Sequence, residues 1–377
     1  MTVSQISALL NAVYSEYVGD SALVQEDLSN VVDVGTTIFQ STWKDNFVKS
    51  LIDQIGKMVF VDRPYSGFAP SILRSDWEYG SILAKVRAKD FEAVDNPSWQ
   101  LTAGQTVDQF EYNPPTVKQT FWNHKESWQI ECSFAEKQVK SAFDSAQQLN
   151  RFFSMIESTI NNSRTLYMDA LVMRTINGFM AEKIHATNGV INVLSAYNTD
   201  YGTSLTAAKA HTDKQFLRYL AYMMLDLRDR LSVKNSIYNL GGTGYTRDTP
   251  GDMLHVVLNS AYSRAIDVMM TADTYHDDMV SIGSYETVPY WQGSGTAYAL
   301  TDRTSINVKL PSDNTETVTQ QYIIGVMFDR DAMAINNTDM RVTSSYNANG
   351  EYYNNFYKVD TSNMIDTAEN GIILTLA

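Results

Sequence analysis

A single cysteine, Cys132, leaves this 377-residue chain without an intramolecular disulfide or a thiolate metal cage, and fits a reducing compartment. Its neighbours Ile130 and Phe134 mark it as a buried thiol rather than a nucleophile. There is no apolar run of membrane-spanning length and no basic n-region followed by an apolar stretch at the N-terminus, which disfavours membrane insertion and signal-peptide secretion. Lys and Arg are nowhere clustered, and the net charge is -14, so the chain is not built to embrace phosphate backbones. The five histidines, His124, His185, His211, His255 and His276, are scattered without metal-ligand spacing. No Gly-x-Ser-x-Gly elbow occurs. Gly241-Gly242-Thr243-Gly244 lacks the Lys-Ser/Thr of a phosphate loop. His276-Asp277-Asp278 reads as an exposed polar loop, and Asp329 and Asp331, with Arg330 between them, as a solvated turn. No constellation carries a reaction, and neither a cofactor nor a metal site is expected.

What is present is a spine. Ser133-Phe134-Ala135-Glu136 has the form of a capping box. From there Val139, Phe143, Ala146, Leu149, Phe153, Ile156 and Ile160 repeat at three- and four-residue steps, and Tyr167, Leu171, Val172, Ile176 and Phe179 continue the stripe. A helix from Ser133 to about Ile184 would span roughly 60 to 70 Å. Asn161, Asn162 and Ser163 are its expected point of bending or breakage.

Before the spine, residues 3 to 18 and 21 to 33 read as two short helices separated by Gly19-Asp20, acidic and free of Lys and Arg. Their apolar faces, Leu9, Leu10, Val13, Leu28, Val31 and Val32, are too small for a core of their own. They must lie on something larger. A mixed segment (Phe39, Trp43, Phe47, Leu51, Ile55) leads to Pro64 and Pro70. Two strands follow. In one, Ile82, Ala84, Val86 and Ala88 alternate with Leu83, Lys85, Arg87 and Lys89; in the other, Val117, Gln119, Phe121 and Asn123 alternate with Lys118, Thr120 and Trp122. Between them lies a wide polar tip containing Asn96-Pro97, Trp99, Gly104 and Pro114-Pro115. Such a ribbon is marginal alone in water and needs a surface, and no nearby segment offers one.

After the spine, strands and helices are intermixed over residues 190 to 337 in the manner of an α+β lobe. Val190 to Leu194 and Met253 to Leu258 read as strands, as do Thr287 to Tyr290, Ala297 to Leu300 and Tyr322 to Phe328. Thr212-Asp213-Lys214-Gln215 opens a helix and Ser260 to Met270 forms another. Arg341 to Ser345 and Phe356 to Val359 flank the hairpin signal Asn347-Ala348-Asn349-Gly350, ahead of an apolar tail, Ile372 to Leu376. The 22 tyrosines, with Tyr346, Tyr352, Tyr353 and Tyr357 close together, suit surfaces that meet other proteins.

This order of elements resembles the Hong Kong 97-type major capsid protein of tailed bacteriophages. The residues that carry the likeness are the Glu131-Cys132-Ser133-Phe134-Ala135 junction into the long helix, the strand Ile324 to Ile335 with its Phe328-Asp329-Arg330-Asp331-Ala332 turn, and the Arg341-to-Val359 hairpin. The resemblance implies an α+β fold with an N-terminal arm (1–70), an extended hairpin or E-loop (71–132), a peripheral domain (133–189 and 338–366) and an axial domain (190–337 and 367–377). It implies a structural, non-enzymatic protein that assembles through hexamers and pentamers into an icosahedral shell around double-stranded DNA, in the virion, after assembly in the host cytoplasm. The ribbon would lie across a neighbouring subunit and the acidic arm would clasp another. The acidity would let the shell contain DNA without gripping it. With some 75 residues before the ribbon, a separate scaffolding protein is expected, together with a portal and no membrane. The Lys, Asn and Glu of the family's autocatalytic crosslink match no positions here. Expected subunit contacts are Leu9, Leu28, Lys85, Arg87, Lys89, Trp99, Phe121, Tyr352 and Tyr353. Two other readings stand beside this one: an encapsulin-like cargo compartment, and a soluble enzyme or ligand-binding protein with its site in residues 190 to 337.

Overall fold

The computed structural model describes residues 2–18, 24–60, 67–73, 83–95, 102–104, 106, 110–242, 244–271, 285–293 and 300–377. Ile82, Trp99, the turn Gly19-Asp20, the His276 loop and most of the Ala297-to-Leu300 strand lie outside them. The chain opens with three helices, α1 (Val3–Val18), α2 (Val31–Gln40) and α3 (Lys44–Phe60). The second helix begins ten residues later than the apolar pattern suggested, because residues 24–30 form turns in which Leu28 takes a left-handed φ of 62°. In α3, Phe47, Leu51 and Ile55 recur every fourth residue and are fully buried, so this mixed segment is an amphipathic helix.

Strands β1 (Leu83–Ala88) and β2 (Val117–Trp122) pair antiparallel to form the ribbon. Strand β3 (Lys125–Ala135) then turns away into another sheet, so residues 125–132, grouped with the ribbon by sequence pattern, do not belong to it. Ser133 consequently sits in a strand and its hydroxyl donates to Asn354 Oδ1 at 2.6 Å, which corrects the expected helix start. The short α4 (Glu136–Ala142) begins after Ala135, whose amide donates to Gln138 Oε1 at 3.2 Å. The spine itself, α5 (Ala146–His185), is 40 residues long, and its N-cap is Ser145, which accepts from the Gln148 amide at 3.2 Å. Its ideal length is about 60 Å. It runs unbroken through Asn161, Asn162 and Ser163, where buried Ile160 and Arg164 hold the helix on either side; the interruption falls instead at residues 143–145.

Beyond the spine come β4 (Val190–Asn192), α6 (Val193–Tyr201), α7 (Ala207–Ala210), α8 (Lys214–Leu231), β5 (Leu254–Asn259), α9 (Ser260–Thr271) and β6 (Glu286–Val288). The cap of α8 is Asp213, accepting from Phe216 N at 2.8 Å, one residue later than the capping-box pattern placed it. Next are β7 (Gln292–Gly293), β8 (Leu300–Asp302), β9 (Ile306–Lys309), β10 (Thr317–Gln320) and β11 (Ile323–Asp329). The hairpin of β12 (Met333–Asn347) and β13 (Tyr352–Ile365) is longer than its sequence signal, because Met333 to Ile335 and Arg341 to Ser345 are parts of one strand, while Ala332 ends a 3-10 turn before it. The last strand is β14 (Gly371–Thr375).

Two sheets organise these elements. One has the order β12-β13-β3; the other, five-stranded, has the order β4-β14-β11-β5-β6 with β14 parallel to β4 and β5 parallel to β6. All residues of β5, β11 and β14 are buried, and their side chains divide between two cores. Val257, Val326, Phe328 and Ile373 face the core that contains the spine and the N-terminal helices. Val256, Leu258, Met327, Ile372 and Leu374 face the core that α6, α8 and α9 close. Continuous apolar runs are what a sheet covered on both faces requires.

Candidate assembly surface

The ribbon is built inside out. Register pairs Leu83 with Trp122, Lys85 with Thr120 and Arg87 with Lys118 on one face, and Ala84 with Phe121, Val86 with Gln119 and Ala88 with Val117 on the other. The face carrying the cations is turned toward the chain's own body. Arg87 is buried and its guanidinium meets Asp366 and Glu369, the latter at 3.0 Å. Lys85 reaches the same two carboxylates at 3.1 and 3.3 Å and donates to the Asp331 carbonyl at 2.6 Å. Trp122 Nε1 donates to Ile365 O at 3.0 Å. Lys89 is half-buried beside Gly244, whose carbonyl accepts from the Asp90 amide at 3.0 Å. Lys85 and Arg87 therefore tie the ribbon to its own chain, and Lys89 packs against Gly244 beside them. The surface that no nearby segment offered comes from distant residues, from Thr246, 156 positions from Asp90, to Glu369, 284 positions from Lys85.

The opposite face is apolar and open. Val86, Val117 and Phe121 are 64, 54 and 59% exposed, with Ala84 and Ala88 exposed among them. The chain continues outward through Phe91, Val94, Phe110 and Tyr112, all exposed and set among Asp90, Glu92, Asp95 and Glu111. Single exposed apolar side chains are ordinary, but a contiguous strand face with aromatics beyond it marks an interaction surface. Of the expected contact residues, Phe121 lies on this exposed face.

The arm is different. Leu9 and Leu28 are buried at 8% and 1%, in the core shared with α3 and the spine. Tyr14 and Tyr17 pack on Trp43, ring centroids 5.7 and 5.5 Å apart, and the Tyr17 hydroxyl donates to Asn46 O at 3.1 Å. Gly35 lets α2 approach Phe143 so closely that a Cβ there would lie 2.6 Å from the Phe143 Cβ. The larger body on which the arm lies is thus its own chain, and Leu9 and Leu28 are core residues rather than open contact points. Glu16, Glu26, Asp27 and Asp33 remain exposed on its outside.

The hairpin tyrosines also turn inward. Tyr353 is buried and donates to Asp45 Oδ1 at 2.8 Å; Tyr346 packs on it, centroids 4.9 Å apart, and donates to Glu136 Oε2 at 2.8 Å. Tyr352 is half-buried at the turn and accepts from Asn347 Nδ2 at 3.0 Å. The Tyr353 and Tyr346 hydroxyls tie the hairpin to α3 and α4, and Tyr353 is buried within its own chain. Cys132 is half-buried, and burial pushes its thiol up, away from nucleophilic use.

A cavity of about 410 Å³ lies between residues 71–73, His255, Glu286, Phe328 and Arg330. Its polar groups form no relay. His255 Nε2 lies 2.8 Å from Glu286 Oε2, and the same carboxylate accepts from the Ser71 amide at 2.8 Å and the Ser71 hydroxyl at 2.5 Å. Burial works against the charged carboxylate, yet the His255 and Ser71 donors hold Glu286 down to about 2. Serine and histidine converge on one acceptor, so the histidine does not activate the hydroxyl. Among the described residues no group of three or more His, Cys, Asp or Glu is placed to hold a metal ion, and no helix is long and apolar enough to cross a membrane.

The sequence pattern of the Phi29-like phage major capsid protein family matches residues 6–375. The chain belongs to that family. Two solved structures share its fold. One is a chain from the capsid structure of Staphylococcus phage Andhra, 10% identical with a TM-score of 0.52, covering 84% of this chain and 86% of that one. The other is a chain from the structure of the head fiber and inner core protein gp22 of native bacteriophage P68, 10% identical with a TM-score of 0.56 and the same two coverages. No curated protein matches. The fold is the Hong Kong 97 type, and this major capsid protein is a structural, non-enzymatic component of the phage virion that assembles with its own copies. Neither the cargo-compartment reading nor the enzyme reading is favoured.

Proposed function

We propose that copies of this chain close through hexamers and pentamers into an icosahedral shell around packaged double-stranded DNA, and that the outward apolar face of the β1–β2 ribbon lies on a neighbouring copy. The observation that carries this reading is the inversion of the ribbon: its charged face is satisfied inside the subunit while Val86, Val117 and Phe121 face outward. A shell repeats one contact many times, so a modest apolar strip suffices when every copy uses it. In this reading the arm, ribbon, spine-and-hairpin layer and five-stranded lobe are the N-arm, E-loop, peripheral and axial domains, with 125–132 moved to the peripheral sheet. A separate scaffolding protein and a portal complete the assembly in the host cytoplasm. The net charge of -14 lets the shell hold DNA without specific contacts.

Deletion of residues 92–113 tests the reading by negative-stain imaging and circular dichroism. The expected result is a folded subunit that forms no stable shells. Normal shells from the deleted protein would remove the ribbon from assembly.

A further inference from the structure

We infer that the turn Asp366–Glu369 aims the ribbon, and that Arg87 is a positioning residue for assembly: the two carboxylates fix the direction in which each subunit presents its apolar strip. The inference rests on the assembly role proposed for that strip.

The turn is held from several sides. The Asp366 amide donates to Ala332 O at 2.7 Å, the Leu240 amide to Thr367 O at 2.9 Å, the Asp329 amide to Asn370 O at 3.1 Å and the Gly371 amide to Tyr238 O at 2.9 Å. From the spine, buried Lys183 donates to Tyr238 O at 2.7 Å and Glu369 O at 3.4 Å. Asn370 adds side-chain bonds to Arg247 O at 3.1 Å and to the Thr249 hydroxyl at 3.3 Å. The start of β12, the loop before β5, the spine and the five-stranded sheet all meet here, so the two carboxylates cannot shift without moving the body. Arg247 lies 3.5 Å from Glu369, which sets three cations, Lys85, Arg87 and Arg247, around two acids.

Other ties of the ribbon among the described residues are the Trp122 and Asp90 bonds and the Thr246 hydroxyl donating to Asp90. Both contacts to Asp366 and Glu369 are made by Arg87 Nη2, so the two carboxylates hold the buried tip of this side chain between them with charge-assisted bonds. Arg87 lies one residue from Val86 and Ala88, so an error in its seating is carried directly into the outward strip.

The test uses full-length chain with Cys132→Ser, and spin labels at Val94→Cys on the ribbon and Tyr222→Cys on α8, both exposed. In the unassembled parent, a single narrow distance distribution is expected. Arg87→Met should broaden it while circular dichroism stays native, and should lower shell yield about tenfold or more, the factor that 1.4 kcal/mol represents. Lys85→Met, at a half-exposed site, should broaden the distribution less and serves if Arg87→Met does not fold. Arg87→Asp should lose shells, and Arg87→Asp with Asp366→Arg should restore both the narrow distribution and part of the yield. Unchanged distances in the folded Arg87 and Lys85 variants would overturn the inference. Distances that broaden while shells form normally would overturn the positioning role. If the parent forms no shells, the assembly reading fails, while the distances still report on the aim.

Discussion

Strands β1 and β5 are both six residues long, and they solve burial in opposite ways. Every side chain of β5 is buried, packed between the spine on one face of its sheet and α8 and α9 on the other. In β1 Lys85 and Arg87 are covered while Ala84, Val86 and Ala88 face outward. The first arrangement completes itself within one chain, as a sheet covered on both faces must. The second leaves apolar area in water, a cost of about 25 cal/mol per Å² that only another surface removes. In the reading proposed above that surface is another copy, which assigns the stability of the subunit to the five-stranded lobe and its association to the ribbon.

Mutations on the two sides should separate these roles. Phe328 in β11 is fully buried, stacked on His255 at 5.0 Å and near Phe179 at 6.2 Å. Phe328→Ala should cost about 3–5 kcal/mol of subunit stability in urea denaturation. A loss well below that would mean the lobe is not the stabilising half.

Lys183 gives a pH handle on subunit stability. Burial pushes its ammonium down to about 7, against the pull of Asp366 and Glu369. Its ordinary value is near 10.5. Between these values the unfolded chain holds a proton that the folded chain has released, so subunit stability should rise with pH from about 7 to 10. The slope contributed by this one group is at most about 1.4 kcal/mol per pH unit. Lys183→Met should flatten that part of the profile in denaturation curves measured at several pH values. An unaltered profile would show that Lys183 stays charged in the folded subunit.

Phe121→Asp on the outward ribbon face should change subunit stability least, within about 0.5 kcal/mol, because the side chain is already exposed. Its effect should appear in shell yield, measured by sedimentation. A large fall in subunit stability would mean that the outer face is packed within its own chain.

Much of this division was legible in the sequence. The apolar runs of β5 and β11 announced buried strands, and the stripe from Leu149 to Phe179 announced the spine, because such patterns are local; β14 showed only as an apolar tail. The two-residue alternation of the ribbon was also correct. Its orientation was not readable, since the partners of Arg87 lie 279 and 282 positions away and nothing local announces them. The capping pattern at Ser133 lost to a strand pairing with Asn354, 221 positions distant. The four-residue step from Phe47 to Ile55 is the local mark of α3 inside a segment of mixed composition. For the candidate surface, exposure of Phe121 followed from its place opposite Ala84, while Leu9, Leu28 and Tyr353 were drawn inward by tertiary packing that residue type alone does not reveal.

Electron cryomicroscopy of assembled shells tests the central claim most directly. The expected density shows Val86, Val117 and Phe121 covered by a neighbouring copy while Arg87 remains on Asp366 and Glu369 of its own chain. A shell in which that strand face stays open to solvent would contradict the account.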